Sequence, residues 1–175
     1  MLNKHIEAVR RQWGRKMRRK IVLLAGGLSI LLLAGGAMAQ DNPAISVADP
    51  KFVAEVARGY GSVVIEKDSD GDPLLKCRSE GIAYSIAFYN CKADQVCRSI
   101  QFRSGFTHKG VKLERINEWN QKKRYAKALL DKEGDPIIRM DFNVVGGISR
   151  ANLDDVMDLW TRLLKEYVDH IGFKR

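Results

Sequence analysis

Short apolar runs separated by turn-forming residues occupy the middle of the chain. In the clearest of them, Tyr84, Ile86 and Phe88 alternate with small residues, which predicts a strand with one buried face. Three further runs predict neighbouring strands, at residues 63–65, 74–77 and 99–102. Because Gly, Asp, Ser and Pro separate the runs, the pattern predicts an antiparallel meander of four strands.

Apolar residues spaced by three or four positions predict three helices. Asp49 and Pro50 are typical of a helix start, as a cap and a first-turn proline. Leu113, Ile116 and Trp119 predict a second helix with a narrow apolar face. The strongest periodicity predicts a third helix, and its apolar positions are Leu153, Val156, Met157, Trp160, Leu163, Leu164, Tyr167, Val168 and Ile171.

Ser149 and Gly172 flank this last helix as the expected cap and stop. Two more strands are predicted before it, at residues 125–130 and 137–145. The order is therefore helix, four strands, helix, two strands, helix. This order predicts an α+β fold in which a twisted antiparallel sheet packs against helices.

Two similar loops carry carboxylates around a glycine. Asp68, Asp70 and Asp72 surround Gly71 in the first loop, and residues 131–136 repeat the pattern. A calcium site is one interpretation, but neither loop has the ligand spacing of an EF-hand. A hairpin turn is the favoured interpretation, since Gly permits positive φ and Asp accepts hydrogen bonds from backbone amides.

Charge is distributed unevenly along the chain. The chain has 30 Lys and Arg against 21 Asp and Glu, and residues 1–20 hold eight of these bases and one of the acids. From Gln40 onward, 22 bases and 20 acids nearly balance. A nucleic-acid partner is therefore excluded on the ground of bulk charge.

The basic N-terminal stretch leads into an uncharged apolar run over residues 21–39. This run ends with Ala37 and Ala39, the small residues that signal peptidase requires before cleavage. The pattern predicts a signal peptide over residues 1–39, cleavage before Gln40 and a periplasmic location. The alternative is a membrane anchor formed by the uncleaved apolar run, because its helix nearly spans a bilayer.

One domain is expected after the signal peptide. Residues 40–48 are predicted to form a tether, and residues 49–175 are of a length typical of a single domain. The chain is then expected to contact the membrane only through its signal segment, before cleavage.

All three cysteines lie in the predicted exported part, where disulfides form. Cys91 and Cys97 flank the loop between the third and fourth strands, where cross-strand neighbours can lie within disulfide reach. We expect a structural disulfide between them and a buried free thiol at Cys77. A metal site and a redox pair are the alternatives, although the spacing is not the CxxC of zinc or thioredoxin-type sites.

Candidate catalytic chemistry is sparse. The sequence has none of the motifs GxSxG, HExxH, GxGxxG or the P-loop, and the predicted domain has two histidines, His108 and His170. We expect a protein that is not an enzyme and that has no metal or cofactor. Trp119 and Asn120, with polar and basic neighbours, are the candidate protein-binding residues. The alternative is that Trp119 ends the core face of its helix.

Six short segments resemble the bacterial YbjN domain in their order and spacing. These are residues 70–73 (DGDP), 84–89 (YSIAFY), 97–102 (CRSIQF), 116–120 (INEWN), 134–136 (GDP) and 158–160 (DLW). The resemblance spans residues 48–173. It implies a fold similar to that of class I type III secretion chaperones, which often pair, and a role as a sensory transduction regulator. It assigns no catalytic residue to this chain.

Together these expectations describe a secreted, non-enzymatic protein-binding module, chaperone-like or regulatory. Its partner is another protein or a second copy of the chain. A periplasmic small-ligand sensor or an envelope structural factor is the alternative function. The signal peptide and the cysteine pair depart from cytosolic members of the family, which argues against a cytosolic role here.

Overall fold

The structure of the protein, a computed structural model, describes residues 49–91 and 97–174. Its helices are α1 (Pro50–Arg58), α2 (Leu113–Lys122) and α3 (Arg150–Ile171). Its strands are β1 (Ser62–Lys67), β2 (Pro73–Ser79), β3 (Ile82–Tyr89), β4 (Ser99–Gly105), β5 (Lys127–Leu130) and β6 (Pro136–Asn143). The predicted signal peptide and tether lie outside the described residues.

The six strands form one antiparallel sheet in the order β1-β2-β3-β4-β6-β5. Strands β1 to β4 pair in sequence order, which confirms the predicted meander, and β6 lies between β4 and β5. The element order and the sheet confirm the predicted α+β class.

The hydrophobic core lies between one face of the sheet and the helices. The nine apolar residues predicted for α3 are all buried, which confirms its periodicity. At the centre, the Trp160 ring lies 5.9 Å from that of Tyr84 and 5.4 Å from that of Phe102, measured between centroids. Burial of each large side chain contributes about 1.5–3 kcal/mol to stability.

The helix ends follow local sequence signals. The Asp49 side chain accepts a hydrogen bond from the Lys51 amide, and the Ser149 hydroxyl accepts one from the Asn152 amide. Gly172 ends α3 in the left-handed conformation, with φ of 70°. These contacts confirm the predicted boundaries. No helix in the described part of the chain is long and apolar enough to cross a membrane.

Gly61 allows the start of β1 to lie close to β2. It has φ of 152°, and a Cβ there would lie 2.0 Å from the carbonyl oxygen of Arg78 on β2. Only glycine allows this approach of one backbone to another. The chain therefore turns directly from α1 into the first strand of the sheet.

The two carboxylate loops are hairpin turns. In the first, Asp68 Oδ1 accepts hydrogen bonds from the amides of Asp70 and Asp72, and in the second, Asp131 Oδ1 accepts the equivalent pair. Gly71 adopts φ of 85°, as such a turn requires. No cluster of His, Cys, Asp or Glu that could hold a metal ion occurs among the residues that the structure describes.

Candidate functional site

Trp119 lies in the core and not at the surface. Its side chain is 1% exposed, its ring centroid lies 5.0 Å from that of Tyr167 on α3, and its indole Nε1 donates a hydrogen bond to the Ala126 carbonyl at 3.0 Å. The structure therefore supports the alternative, in which Trp119 ends the core face of its helix. The prediction that Trp119 anchors a protein interface is therefore corrected, because a buried indole cannot reach a partner.

Asn120 is exposed, but its side chain binds the edge of the sheet. Its amide group donates to the Ala128 carbonyl at 3.0 Å, and its Oδ1 accepts from the Ala128 amide at 2.8 Å. These two hydrogen bonds resemble those that a neighbouring strand would form with Ala128. Asn120 therefore satisfies the outward amide and carbonyl of Ala128 at the centre of β5, and its side chain is already occupied within the domain.

The β5 edge of the sheet is closed by these contacts. α2 packs beside β5, and Trp119 and Asn120 both bond to the backbone next to or within that strand. An edge strand with unsatisfied amides and carbonyls is a template for pairing with another chain, and natural proteins often cover such edges. Here α2 provides the cover.

The opposite edge, β1, is open. Among the described residues, no backbone hydrogen bond reaches its outer side. Val64 is 56% exposed and Ile65 is 43% exposed, whereas Leu75 and Ile86, which lie level with Ile65 on β2 and β3, are fully buried. Val64 lies opposite Lys76 on the solvent face and Ile65 lies opposite Leu75 on the core face. α1 packs next to β1 and Val63 contacts the core, but Val64 and Ile65 remain exposed, so the apolar part of this edge is accessible.

Sequence reasoning placed residues 63–65 in a strand but did not select them as a site. Two signals in the sequence point to them. The first strand of a meander lies at the edge of its sheet unless a later strand adds beside it. A run of consecutive apolar residues also places apolar side chains on both faces, including the face that should be polar.

The structure joins Cys91 and Cys97 by a disulfide, and Cys77 is a buried free thiol. Burial raises the pKa of Cys77 to about 11, although a hydrogen bond with Tyr84 lowers it slightly. The thiol is therefore protonated and unreactive at neutral pH. The predicted cleavage residues Ala37, Ala39 and Gln40 lie outside the described residues.

Two buried tyrosines also have strongly raised pKa values, as does the half-buried Tyr60. Burial raises the pKa of Tyr84 and of Tyr167 well above the ordinary value, and the Tyr167 hydroxyl donates to the Ile137 carbonyl at 3.2 Å. Shifts in this direction keep both phenols neutral. They mark packed polar groups and not an acid and base pair poised for proton transfer.

Comparison with protein families identifies a match over most of the chain. The sequence model of the YbjN family, described as "Putative bacterial sensory transduction regulator", matches residues 50–173. The match begins at α1 and ends after α3, so it contains the whole described fold. The comparison with curated proteins gave no match.

Proposed function

The chain belongs to the YbjN family, and from this premise we propose that it is an exported regulatory module without enzymatic activity, which binds another protein through the open edge of β1. The family description names a regulator and not a class of enzyme. A regulator without catalytic chemistry must act through the molecules that it binds. The question is then which surface is free to bind.

The difference between the two sheet edges carries this proposal. Asn120 satisfies the outward amide and carbonyl of Ala128 on β5, whereas β1 exposes Val64 and Ile65. Glu66 and Lys67 place charge only at the end of β1, so its apolar part lacks the cover that natural proteins often give to an edge strand. The open apolar edge therefore supports a binding role for β1.

Strand addition is the mode of binding that fits this edge. An extended segment of a partner can pair with the backbone of β1, which gives affinity, while its alternate side chains meet Val64 on one face and Ile65 on the other. Such binding requires little shape change in the domain. It also resembles how a chaperone-like module holds an extended chain.

The proposed location is the periplasm. The basic stretch, the apolar run and the small residues Ala37 and Ala39 support export, and the disulfide between Cys91 and Cys97 suits an oxidising compartment. The partner is therefore sought among exported and membrane proteins that face the periplasm.

A charge placed on β1 should abolish partner binding without unfolding the domain. In the full chain, Val64→Glu puts a carboxylate opposite Lys76, which the fold tolerates, but it charges the face that a partner strand must meet. Cells are treated with a chemical crosslinker, the protein is purified, and attached proteins are identified by mass spectrometry. We expect the partner to be recovered at least tenfold less with this variant.

Val145→Glu is the matched control. Val145 is 55% exposed, close to the value of Val64, but it follows β6 and is not part of β1. The control should recover the partner as the unchanged chain does. Recovery of the same partner with Val64→Glu, or equal loss with both variants, would contradict the proposed edge. Recovery of the chain crosslinked only to itself would contradict a separate protein partner.

A further inference from the structure

A trough runs over β3 on the solvent face of the sheet, opposite the core. Its floor consists of the small residues Ala83 and Ser85, and its walls are the longer side chains of the flanking strands, Lys76 and Arg78 on β2 and Arg103 on β4. The cavity has a volume of about 420 Å³. This lies within the range of about 300–1,000 Å³ that is typical of sites for small molecules.

The cations of this trough are only partly neutralised. Lys76 forms an ion pair with Glu66 at 2.7 Å. Arg78 donates to the Gly81 carbonyl at 2.7 Å, which is an uncharged acceptor. Within the described part of the chain, neither Arg78 nor Arg103 has a carboxylate at ion-pair distance. Among the residues that the structure describes, the trough therefore carries two guanidinium groups without a carboxylate counter-ion.

A third arginine adds positive charge beside the trough, and this charge is partly offset by its electrostatic interaction with Asp141. Arg139 on β6 lies directly opposite Arg103 in the register of β4 and β6, and its Nε is buried without a hydrogen-bond partner among the described residues. Asp141, on the same strand, is held by Gln101 at 2.5 Å and by Lys127 at 3.0 Å. Like charges directly opposite each other on neighbouring strands destabilise a sheet, and a bound anion would relieve this repulsion.

We propose that the trough between Arg78 and Arg103, with Arg139 beside it, binds a small soluble molecule with two or more carboxylate or phosphate groups. The planar guanidinium group binds such oxyanions through two parallel hydrogen bonds. Because β3 separates the two walls, β2 and β4 lie about 10 Å apart. A ligand with several oxyanion groups can contact both walls at once, which a single small anion cannot.

This site is on the sheet face, whereas the proposed protein partner binds at the β1 edge. The anion site therefore goes beyond the function proposed above, and each proposal can fail while the other holds. Binding of the anion would make the domain respond to a metabolite in addition to a protein.

The test measures thermal unfolding of the protein, purified from cells that express the full chain, in citrate and in pyrophosphate. Sodium chloride keeps the ionic strength constant. Because a ligand that binds the folded state raises the unfolding temperature, we expect a saturable rise with at least one of the two anions. Arg103→Gln should weaken the apparent affinity at least tenfold.

Arg162→Gln is the matched control, since Arg162 is also exposed but lies on α3 and is paired with Asp158. It should leave the affinity unchanged. Without anion, Arg103→Gln should unfold at the same or a higher temperature than the unchanged chain, because it removes a like-charge neighbour of Arg139. A lower unfolding temperature would instead assign Arg103 a structural role and overturn the proposal.

Three further results would overturn the proposed site. The first is the absence of any rise with either anion at constant ionic strength. The second is an equal loss of affinity in Arg103→Gln and Arg162→Gln. The third is binding to phosphatidylglycerol vesicles, but not to phosphatidylcholine vesicles, without any response to the soluble anions, which would assign the cations to a membrane surface.

Discussion

At the scale of single residues, the two fully buried tryptophans differ in how their indole groups are satisfied. Trp119 donates to the Ala126 carbonyl at 3.0 Å, whereas Trp160 Nε1 has no hydrogen-bond partner in the part of the chain that the structure describes. Both rings fill the core. Their replacement by Phe therefore separates the contribution of the hydrogen bond from that of the packed ring.

We expect Trp119→Phe to lower the free energy of unfolding by about 1–2 kcal/mol more than Trp160→Phe does, because only the first leaves a buried carbonyl without its donor. Urea denaturation of the two variants measures this difference. A loss that is equal, or greater for Trp160→Phe, would show that the bond to Ala126 contributes nothing.

Asp135 provides a second prediction at this scale, on pH. A hydrogen bond from Lys109 is the main reason that its pKa lies below the ordinary value, and the His108 amide adds to this against the opposing effect of burial. A carboxyl with a lowered folded pKa stabilises the fold above its unfolded pKa of about 3.9. That contribution is lost as the pH falls through the folded pKa.

We therefore expect Asp135→Asn to be less stable than the unchanged chain at pH 7, with a difference that shrinks below about pH 4. Asn keeps an oxygen for the His108 amide, so the change tests the charge. Unfolding temperatures measured from pH 7 to pH 2.5 give the result. A difference that stays constant over this range would show that the charge of Asp135 does not stabilise the fold.

At the scale of elements, the two edges of the sheet differ in whether another element covers them. α2 covers β5 through Asn120, and β1 remains open. Asn120→Ala leaves the amide and the carbonyl of Ala128 without these partners. We expect it to lower the free energy of unfolding by about 1–2 kcal/mol and to increase aggregation, because the variant has two open edges.

Asn117→Ala is the matched control for this prediction. Asn117 is the same residue type on the same helix and is exposed, but no hydrogen bond of its side chain occurs in the described structure. Urea denaturation and light scattering compare the two variants. Equal effects would mean that Asn120 acts only through its helix propensity and does not protect β5.

The sequence predicts those elements whose signals are local. Asp49 and Ser149 were identified as helix caps because their contacts reach only two or three residues along the chain. The spacing of Ile116 and Trp119 predicts an apolar helix face, but the sequence leaves open whether Trp119 lies in the core or at an interface, because the outcome depends on Tyr167, which lies 48 positions later on α3. Leu113, in the expected apolar face of α2, is 61% exposed, so the buried face of this helix consists of Ile116 and Trp119.

The open edge at β1 could be predicted only in part. The strand itself follows from its apolar residues, but whether a strand edge is covered depends on where distant elements pack. The sequence gives no local sign that α2 lies beside β5 and leaves β1 free. For the same reason, one can recognise that Arg103 lies opposite Arg139 only when the register of β4 and β6 is known.

At the scale of the whole molecule, the proposed export sets the compartment in which the domain is to meet its proposed partner. The mature protein is predicted to begin at Gln40, which mass spectrometry of the N-terminal peptide from the periplasmic fraction can establish. Ala39→Leu should block cleavage, because signal peptidase requires a small residue there. Met38→Leu is the matched control and should be processed, since the middle position is not selected.

An intact chain that stays in the membrane fraction would contradict this prediction. It would favour the alternative in which residues 21–39 remain as an anchor. The proposed binding edge would then be held close to the membrane surface, but the domain itself would be unchanged.

The most direct test of the central claim places a photoreactive amino acid at position 64 of the full chain in living cells, and at position 145 in a control chain. Irradiation links each position to what lies against it, and mass spectrometry identifies the product. We expect a product with one exported or periplasm-facing protein at position 64 and none with that protein at position 145. Absence of a product at position 64, or the same product at both positions, would contradict binding through β1.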